Sequence, residues 1–317
     1  MSDIRGADER DEPPVEVALV AGALPVAPAP SESQFEPEPP LRAAIAAFRT
    51  HRLAVVGVGI VVFLLLFCFV APLIYRTDQR HTNLIEQSLP PSWHHPLGTD
   101  DVGHDVLGRL MVGGRVTLEV AFGGAAAAIV IGTLLGAIAG LVGGLVDSFL
   151  MRVVDALLAI PFLVLLLFIG SITRPTVGVL ILLIGAFAWI GPARFVRGET
   201  LSLRERDFVH AVRLMGGSRT RIVTRHIVPN TIGTIVVNVT FQIADIVLGI
   251  AALSFLGLGL PPPTATWGDM LTKGLTYSFE GYWWLIYPAG IAILLTVVAF
   301  NLIGDGLRDA LEVRLRD

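Results

Sequence analysis

The stretch Arg204–Asn230 reads RERDFVHAVRLMGGSRTRIVTRHIVPN and lies between two apolar segments that are each long enough to cross a bilayer. It carries six arginines against two acids, Glu205 and Asp207, and such an excess of positive charge is typical of the cytoplasmic side of a membrane. Apolar residues recur at helical spacing on either side of Gly216, where a helix is expected to break. The stretch therefore predicts two short amphipathic helices joined at a glycine, the second of which stops at Pro229.

The composition places the chain in a membrane. Of its 317 residues 53% are hydrophobic and 16% are charged, and the mean hydropathy is +0.70. A helix rises about 1.5 Å per residue and the hydrocarbon core is roughly 30 Å thick, so a span needs about 20 residues. The segments that meet or approach this length are Leu53–Ile74, Thr117–Val142, Val153–Ile172, Thr176–Phe195, Thr231–Phe255 and Trp283–Ile303. We therefore expect an all-α polytopic membrane protein with six transmembrane helices.

Composition divides the chain into four parts. Residues 1–40 contain eight prolines and nine acids, so this part is expected to be a disordered acidic tail. Residues 41–116 combine a short basic amphipathic helix, Leu41–Arg52, with the first span and an extracytoplasmic loop. Residues 117–305 are expected to form the transmembrane core, and residues 306–317 a C-terminal tail.

The distribution of basic residues predicts the orientation. With both termini in the cytoplasm, 15 arginines lie on the cytoplasmic side and six basic residues lie outside, when Arg5 and Arg10 of the distant tail are left aside. The opposite orientation would invert the rule that cytoplasmic loops carry the excess of Lys and Arg. Both ends of the chain are therefore expected to be cytoplasmic.

Several functions are excluded by the residues themselves. A P-loop needs Gly-Lys followed by Ser or Thr, but the only lysine, Lys273, stands between Thr272 and Gly274. The chain therefore has no conventional ATPase site. The single cysteine, Cys68, rules out an intrachain disulfide, and the histidines and aspartates of the first external loop match no metal-ligand spacing. A net charge of −4 does not imply a nucleic-acid partner, and we expect neither a catalytic nor a metal site.

Small residues recur every four positions through the second span. Residues with this spacing lie on one side of a helix, and small side chains let two membrane helices approach closely. The pattern predicts a tight helix–helix seam, either within the subunit or across a dimer. Its members are Gly124, Ala128, Gly132, Gly136, Gly140 and Gly144.

Polar residues follow one face of the fifth span. Thr231, Thr234, Asn238, Gln242 and Asp245 step by three or four positions, which places them on one side of a helix. A charge near the membrane centre costs at least about 2.5 kcal/mol, so Asp245 must face a watery cavity or a partner, or stay protonated. Two interpretations stay open. The stripe lines a permeation route, with Asn238, Gln242 and Asp245 as its candidates, or it is a polar seam buried against another helix.

The connection Arg204–Asn230 resembles the EAA loop of ABC-importer permeases, the segment that docks into a cleft on the ATPase subunit. Ala211 and Gly216 stand at matching positions of that motif, and His210 replaces its leading glutamate. The resemblance implies that this loop couples the subunit to its ATPase. The residues assigned to this coupling are Glu205, Asp207, His210, Ala211, Arg213, Gly216, His226 and Pro229.

Four further stretches extend the resemblance. They are HPLGTDDVGHDVLGRL (His95–Leu110), DSFLMRVVDALLAIP (Asp147–Pro161), LSFLGLGLPPPTATWGDML (Leu253–Leu271) and NLIGDGLRDAL (Asn301–Leu311). With these signatures in order, the chain from Leu41 to Arg316 is similar to the C-type permease subunits of dipeptide/oligopeptide ABC importers, a family that also serves nickel and glutathione uptake.

This resemblance implies an ABC type I importer permease fold with cytoplasmic coupling helices, in the cytoplasmic membrane of a bacterium. It also implies the partners: a B-type permease subunit of similar fold, two ATPase subunits that bind ATP and Mg, an extracytoplasmic solute-binding protein, and membrane lipid. The chain itself is expected to hold no cofactor and to be a pore subunit rather than an enzyme.

Two other classes of function compete with this interpretation. A proton-coupled secondary transporter could use Asp245 as its relay, but it would usually show further intramembrane acids or an inverted repeat, and neither is found. A membrane-embedded hydrolase would need a nucleophile–base pair or a metal motif within the spans, and none is visible in the sequence.

The orientation can be tested by labelling single cysteines in a Cys68→Ser background. With both termini inside, a membrane-impermeant thiol reagent added to intact cells should label Ser88→Cys and Ser278→Cys but not Ser33→Cys or Asp317→Cys. Labelling of Asp317→Cys from outside would overturn the orientation.

Overall fold

The computed structural model describes residues 46–172 and 176–313, and within these ranges the regular elements are helices. The acidic tail predicted for residues 1–40 lies outside the described residues, as does the start of the predicted amphipathic helix before residue 46. The rest of that helix is present as helical residues 46–50, next to the first span.

Nine helices of the described part carry the fold. In chain order they are α1 (Arg52–Ile74), α2 (Val106–Val142), α3 (Gly144–Leu158), α4 (Phe162–Ile172), α5 (Val177–Leu203), α6 (Asp207–Leu214), α7 (Val223–Phe255), α8 (Trp267–Thr276) and α9 (Tyr287–Val313). Helices α1, α2, α5, α7 and α9 are each long and apolar enough to cross a membrane, and they account for five of the six predicted spans.

The third predicted span, Val153–Ile172, is wrong as a single straight helix. It falls on α3 and α4, which are bent by 78° across a break of a few residues that ends at Pro161. Proline has no N–H to donate and it disfavours helical geometry at the residue before it, here Ile160. The described chain therefore has six spans only if this bent pair counts as one.

Helix α2 begins at Val106 rather than at Thr117, because Asp105 caps it. The Asp105 carboxylate accepts a hydrogen bond from the backbone N–H of Gly108 at 2.7 Å and another from the Tyr75 hydroxyl at 2.9 Å. Burial and this second bond raise the pKa of Tyr75 to about 12, so the hydroxyl stays a donor at neutral pH. The predicted external loop therefore ends at the Asp105 N-cap, and the N-terminal part of α2 extends beyond the predicted span.

The row of small residues on α2 lies against α5 of the same subunit. A Cβ on Gly132 would stand 2.7 Å from the Cβ of Pro192, and one on Gly140 would stand 2.7 Å from the Cβ of Thr200. Real Cβ contacts are longer than this, so the two helices approach as closely as glycine allows. Gly124 and Gly136 have similar close neighbours on α5, and Ala128 is fully buried.

Gly144 does not belong to this row. Helix α2 ends at Val142, and the left-handed backbone of Gly143, with φ +67°, turns the chain before Gly144 begins α3. A Cβ on Gly144 would meet no atom within 4 Å, so the seam ends at Gly140.

The end of the molecule that carries the predicted external loops is held by Trp267, the first residue of α8. Its side chain is fully buried, and its indole N–H donates to the carbonyl oxygen of Leu110 on α2 at 2.9 Å. The backbone N–H of Trp267 also donates to the Thr117 hydroxyl at 3.2 Å. The external connection between α7 and α9 is therefore packed onto α2.

Because α2 and α5 lie so close together, adding a single methyl group between them should lower the stability of the protein. A Cβ on Gly136 would collide with the carbonyl oxygen of Ala193, which belongs to the backbone and cannot rotate away. We expect Gly136→Ala to lower the free energy of unfolding by about 1–3 kcal/mol, measured as thermal stability of the detergent-purified protein.

The matched control is Gly59→Ala on α1, where an added Cβ would meet nothing within 4 Å. This variant should unfold at or above the wild-type temperature, because alanine favours a helix more than glycine does. Equal stability of the two variants would show that the seam tolerates a side chain.

Candidate functional site

Helix α6 ends in a well-formed stop at Gly216. The N–H of Gly216 donates to the carbonyl oxygen of Arg213 at 3.0 Å, and the N–H of Gly217 donates to that of Val212 at 2.9 Å. Gly216 has φ +77°, so these bonds form a Schellman motif with glycine in the left-handed position. The glycine break predicted from the sequence is therefore a defined turn in the structure.

The second helix of the connection does not stop at Pro229, contrary to the sequence prediction. After the helical turn Arg219–Ile222 the chain forms a π-helical turn, Val223–Ile227, and then continues as helix through Phe255. Pro229 lies in the first turn of that following segment, where its missing N–H costs little. The Asn230 side-chain amide donates to the carbonyl oxygen of His226 at 2.5 Å, which satisfies a group of the widened turn.

The connection has a small hydrophobic core of its own. Val209 of α6 packs with Ile222 and Ile227, and all three are almost fully buried. Leu141, at the inner end of α2, completes the cluster, which we call the inner cluster. Helix α6 is therefore packed against the end of α2 and the start of α7 rather than lying loose between them.

Helix α6 exposes apolar side chains in its first turn and at its end. Leu214 is 90% exposed and Met215 is 78% exposed, and Phe208 is also exposed. Val212, in contrast, is partly buried against the inner cluster, so it does not belong to this surface. We call Phe208, Leu214 and Met215 the apolar tip.

Most of the remaining predicted coupling residues are exposed as well. His210, Ala211, Arg213 and Pro229 are exposed, and His226 is partly buried with its ring 6.3 Å from that of Phe208. Exposed apolar side chains flanked by polar ones are typical of a surface that contacts another protein.

Two arginines tie the helices beneath α6 together. The Arg204 guanidinium donates to the carbonyl oxygen of Gly140 at 3.0 Å and to the Glu205 carboxylate at 2.9 Å. Arg197 of α5 makes a bidentate ion pair with Asp147 of α3, with N–O distances of 2.5 and 2.7 Å. The inner ends of α2, α3 and α5 are thus linked by polar contacts.

These contacts separate the two acids of the connection. Glu205 is already paired with Arg204, whereas Asp207, in the first turn of α6, is exposed and has no ion pair within the described residues. A carboxylate in the first turn is also stabilised by the helix dipole. Asp207 is therefore the acid of this surface that is free to meet a cation of another chain.

A cavity of about 440 Å³ lies next to this connection, between α5, α7 and α9. Its polar wall includes Thr234 and Asn238 of the predicted stripe, together with Glu199 of α5 and Arg308 of α9. Phe195 and Phe241 contribute aromatic walls. A mixed polar and apolar cavity of this size is suited to a small organic solute.

The other two stripe candidates lie elsewhere. Gln242 is partly buried and Asp245 is exposed, and neither lines this cavity. The stripe is therefore divided: Thr234 and Asn238 line a partly open cavity beside α5 and α9, while Asp245 is exposed in the single subunit. Whether the stripe is a permeation route or a packing seam stays a prediction.

Sequence reasoning missed Glu199. The predicted fourth span stopped at Phe195, whereas α5 continues to Leu203 and carries Glu199 along the cavity. The available signal was a lone acid among arginines of the same segment, Arg194 and Arg197. Glu199 lies near α9 because of how the helices pack, and the residues next to Glu199 in the sequence do not indicate that packing.

Two histidines of the segment between α1 and α2 lie against carboxylates of their own chain. The His95 ring nitrogen lies 2.9 Å from the Asp105 carboxylate, and the His104 ring nitrogen lies 3.2 Å from that of Asp100. Among the described residues, no group of three His, Cys, Asp or Glu side chains is arranged to hold a metal ion.

Comparison with known proteins gives two family matches. Residues 132–317 match the family described as binding-protein-dependent transport system inner membrane component. Residues 39–91 match the family described as the N-terminal TM domain of oligopeptide transport permease C.

Individual relatives are similar over most of their length. The oligopeptide transport system permease protein OppC of Bacillus subtilis (strain 168) is 38% identical over 273 residues, covering 86% of this chain and 89% of the relative. The dipeptide transport system permease protein DppC of the same organism is 36% identical over 268 residues, covering 84% of each chain. OppC of Haemophilus influenzae is 37% identical over 287 residues, covering 90% and 92%.

The two sides of α6 should differ in chemical reactivity. In a Cys68→Ser background, we expect a maleimide to label Leu214→Cys at least about tenfold faster than Val209→Cys, because the second site must open locally before it reacts. The experiment uses the detergent-purified protein, with Val212→Cys expected to react at an intermediate rate. Equal rates at Leu214→Cys and Val209→Cys would contradict the inner cluster.

Proposed function

The chain belongs to the family of binding-protein-dependent transport system inner membrane components, and we propose that it is the permease subunit of an ATP-driven importer that moves di- and oligopeptides into the cell. The observation that carries the proposal is the connection between α5 and α7, which presents the apolar tip on a helix that is packed firmly onto the spans. Such a surface is suited to receive motion from another subunit.

The peptide substrate is supported by the relatives, whose names describe oligopeptide and dipeptide transport. A related small solute such as nickel or glutathione remains within the proposed class. The cavity between α5, α7 and α9 agrees with a small polar solute, since it offers both hydrogen-bonding and aromatic walls. The proton-coupled alternative based on Asp245 receives no support from the relatives.

The proposed location is the cytoplasmic membrane of a bacterium, with both termini inside. The excess of arginine in the connection and near the ends of the chain supports this orientation. It places α6 and the inner cluster in the cytoplasm, and Asp105 and α8 on the outer side.

The proposed assembly contains a second permease of similar fold, two ATPase subunits and an extracytoplasmic solute-binding protein. In this assembly ATP and Mg belong to the ATPase subunits, and this chain acts as a pore subunit and not as an enzyme. The apolar tip would enter a cleft on one ATPase, and Asp207 would pair with a cation at the rim. A truncation that leaves such a charge pair half-formed typically costs about 1–3 kcal/mol.

The contacts beneath α6 indicate how its motion would reach the spans. The inner cluster joins α6 to the ends of α2 and α7, and Arg204 joins the following residues to Gly140 of α2. Because the seam holds α2 and α5 backbone to backbone, a displacement of α6 would move α2, α5 and the start of α7 as one body. The cavity is lined by α5, α7 and α9, so its shape would change with that displacement.

The Schellman turn provides a test of this coupling. Gly216→Val forces a β-branched residue into the left-handed region, which costs about 1–3 kcal/mol and should shift the end of α6. We expect the complex to assemble in the membrane but to lose most of its ATP hydrolysis stimulated by the binding protein. Both quantities are measured in proteoliposomes that contain the complete complex.

The matched control is Gly216→Asn, because asparagine adopts the left-handed conformation far more readily than valine. No atom lies within 4 Å of an added Cβ at this position, so the two variants differ in backbone strain rather than in crowding. Full stimulated hydrolysis and transport by Gly216→Val would show that α6 is not the coupling element.

A further inference from the structure

Glu199 lines the cavity between α5, α7 and α9, close to the inner end of α5. Its side chain is partly buried. Within residues 46–172 and 176–313, its carboxylate has neither a hydrogen bond nor an ion pair, unlike Asp147, which is held by Arg197 nearby. A partly buried carboxylate that lacks a donor is stabilised by any cation that enters the cavity.

Asn238 places a second acceptor in the same cavity. Its side-chain N–H donates to the carbonyl oxygen of Thr234 at 2.8 Å, which fixes the amide orientation and leaves its carbonyl oxygen as the free group. Thr234 and Asn238 line the α7 side of the cavity, and Glu199 lines it from α5. The side of the cavity formed by α5 and α7 therefore combines one negative charge with a neutral acceptor, while the Arg308 guanidinium of α9 lies in the opposite part of the lining.

The lining also decides which cation fits. Among the described residues that line the cavity there is one carboxylate and neither a histidine nor a cysteine. A bare divalent metal ion would need more anionic or nitrogen ligands than this. Phe195 and Phe241 supply apolar surface beside the charge, which suits an organic cation that carries a small side chain.

We propose that Glu199 is the counter-charge for the N-terminal ammonium group of a short peptide in transit, with the Asn238 carbonyl oxygen as a second acceptor. This inference rests on the proposed function and names the group of the substrate that this subunit holds. An α-amino group has a pKa of about 7.7–8.0, so it is mostly charged at neutral pH and offers three donors. Every unmodified peptide carries it, whatever its side chains, so one carboxylate serves a varied set of substrates.

The test measures protection of a cysteine in the cavity wall. Thr234→Cys is introduced into a Cys68→Ser background, and the complete complex is purified in detergent with its ATPase and permease partners. Labelling of this chain by a maleimide is followed with trialanine, with N-acetyl-trialanine at the same concentration, and without peptide. Asn238 and Glu199 both remain in place in this variant.

At about four times its dissociation constant trialanine should slow the labelling about fivefold, because the occupied cavity does not react, and N-acetyl-trialanine should leave the rate unchanged. Glu199→Gln should abolish the protection by trialanine. The matched control is Glu119→Gln, which removes a partly buried acid of α2 that is paired with Arg115 outside the cavity lining, and it should keep the protection.

The inference fails if trialanine gives no protection, if the acetylated peptide protects equally, or if protection survives Glu199→Gln. The comparison of trialanine with N-acetyl-trialanine is made with Glu199 in place. It therefore tests the role of the peptide ammonium group even if the Glu199→Gln complex does not assemble. Peptide uptake by the wild-type complex in proteoliposomes, with ATP and binding protein, tests the proposed function separately. Uptake without protection would overturn only the role of Glu199, whereas an assembled complex that takes up no peptide would overturn the proposed function.

Discussion

The contact on which the rest of the structure depends is the backbone-to-backbone approach of α2 and α5. Lipid tails are as apolar as the side chains of a membrane helix, so two helices gain little from hydrophobic burial and associate by close packing. Gly132, Gly136 and Gly140 remove the side chains that would hold the helices apart, and Pro192 and Thr200 fill the space. Two helices that are packed this closely cannot shift independently, so a displacement of one helix displaces the other.

Helix α2 also connects the two ends of the molecule. It has 37 residues, which at about 1.5 Å per residue is longer than a bilayer core of roughly 30 Å. Its outer turns receive the Asp105 cap and the indole of Trp267, and its inner end contributes Leu141 to the inner cluster. The external connection and the proposed coupling helix are thus packed on one rigid element, which agrees with a protein that responds on one side to an event on the other.

Local chemistry links several features of the structure to the sequence. A repeat of small residues every four positions specifies a seam, and a glycine between two amphipathic segments specifies a left-handed turn, because both depend on residues close together in the chain. The bend at Pro161 was missed because the apolar run continues on both sides of the proline. Its total length is that of one membrane span, so length and hydropathy do not reveal the break. The helix through Pro229 was missed for the opposite reason, since a proline in a first turn removes a hydrogen bond that is absent anyway.

Long-range packing sets the limits of such prediction. The polar stripe of α7 is continuous in the sequence, yet the structure places Asn238 in the wall of a partly open cavity and leaves Asp245 exposed. The difference comes from α5 and α9, which cover only the inner half of the stripe, and neither helix carries a local signal of that position. Glu199 becomes a cavity residue for the same reason.

The open half of the stripe bears on the assembly. An aspartate that faced hydrocarbon would cost at least about 2.5 kcal/mol, whereas one that faces water or a second subunit costs far less. No helix of the described chain covers Asp245, so its ionised carboxylate would be costly if this face met lipid. In the proposed importer this would be the side turned toward the second permease and the pore. The cavity at Asn238 and the open face at Asp245 would then be successive parts of one polar path along α7.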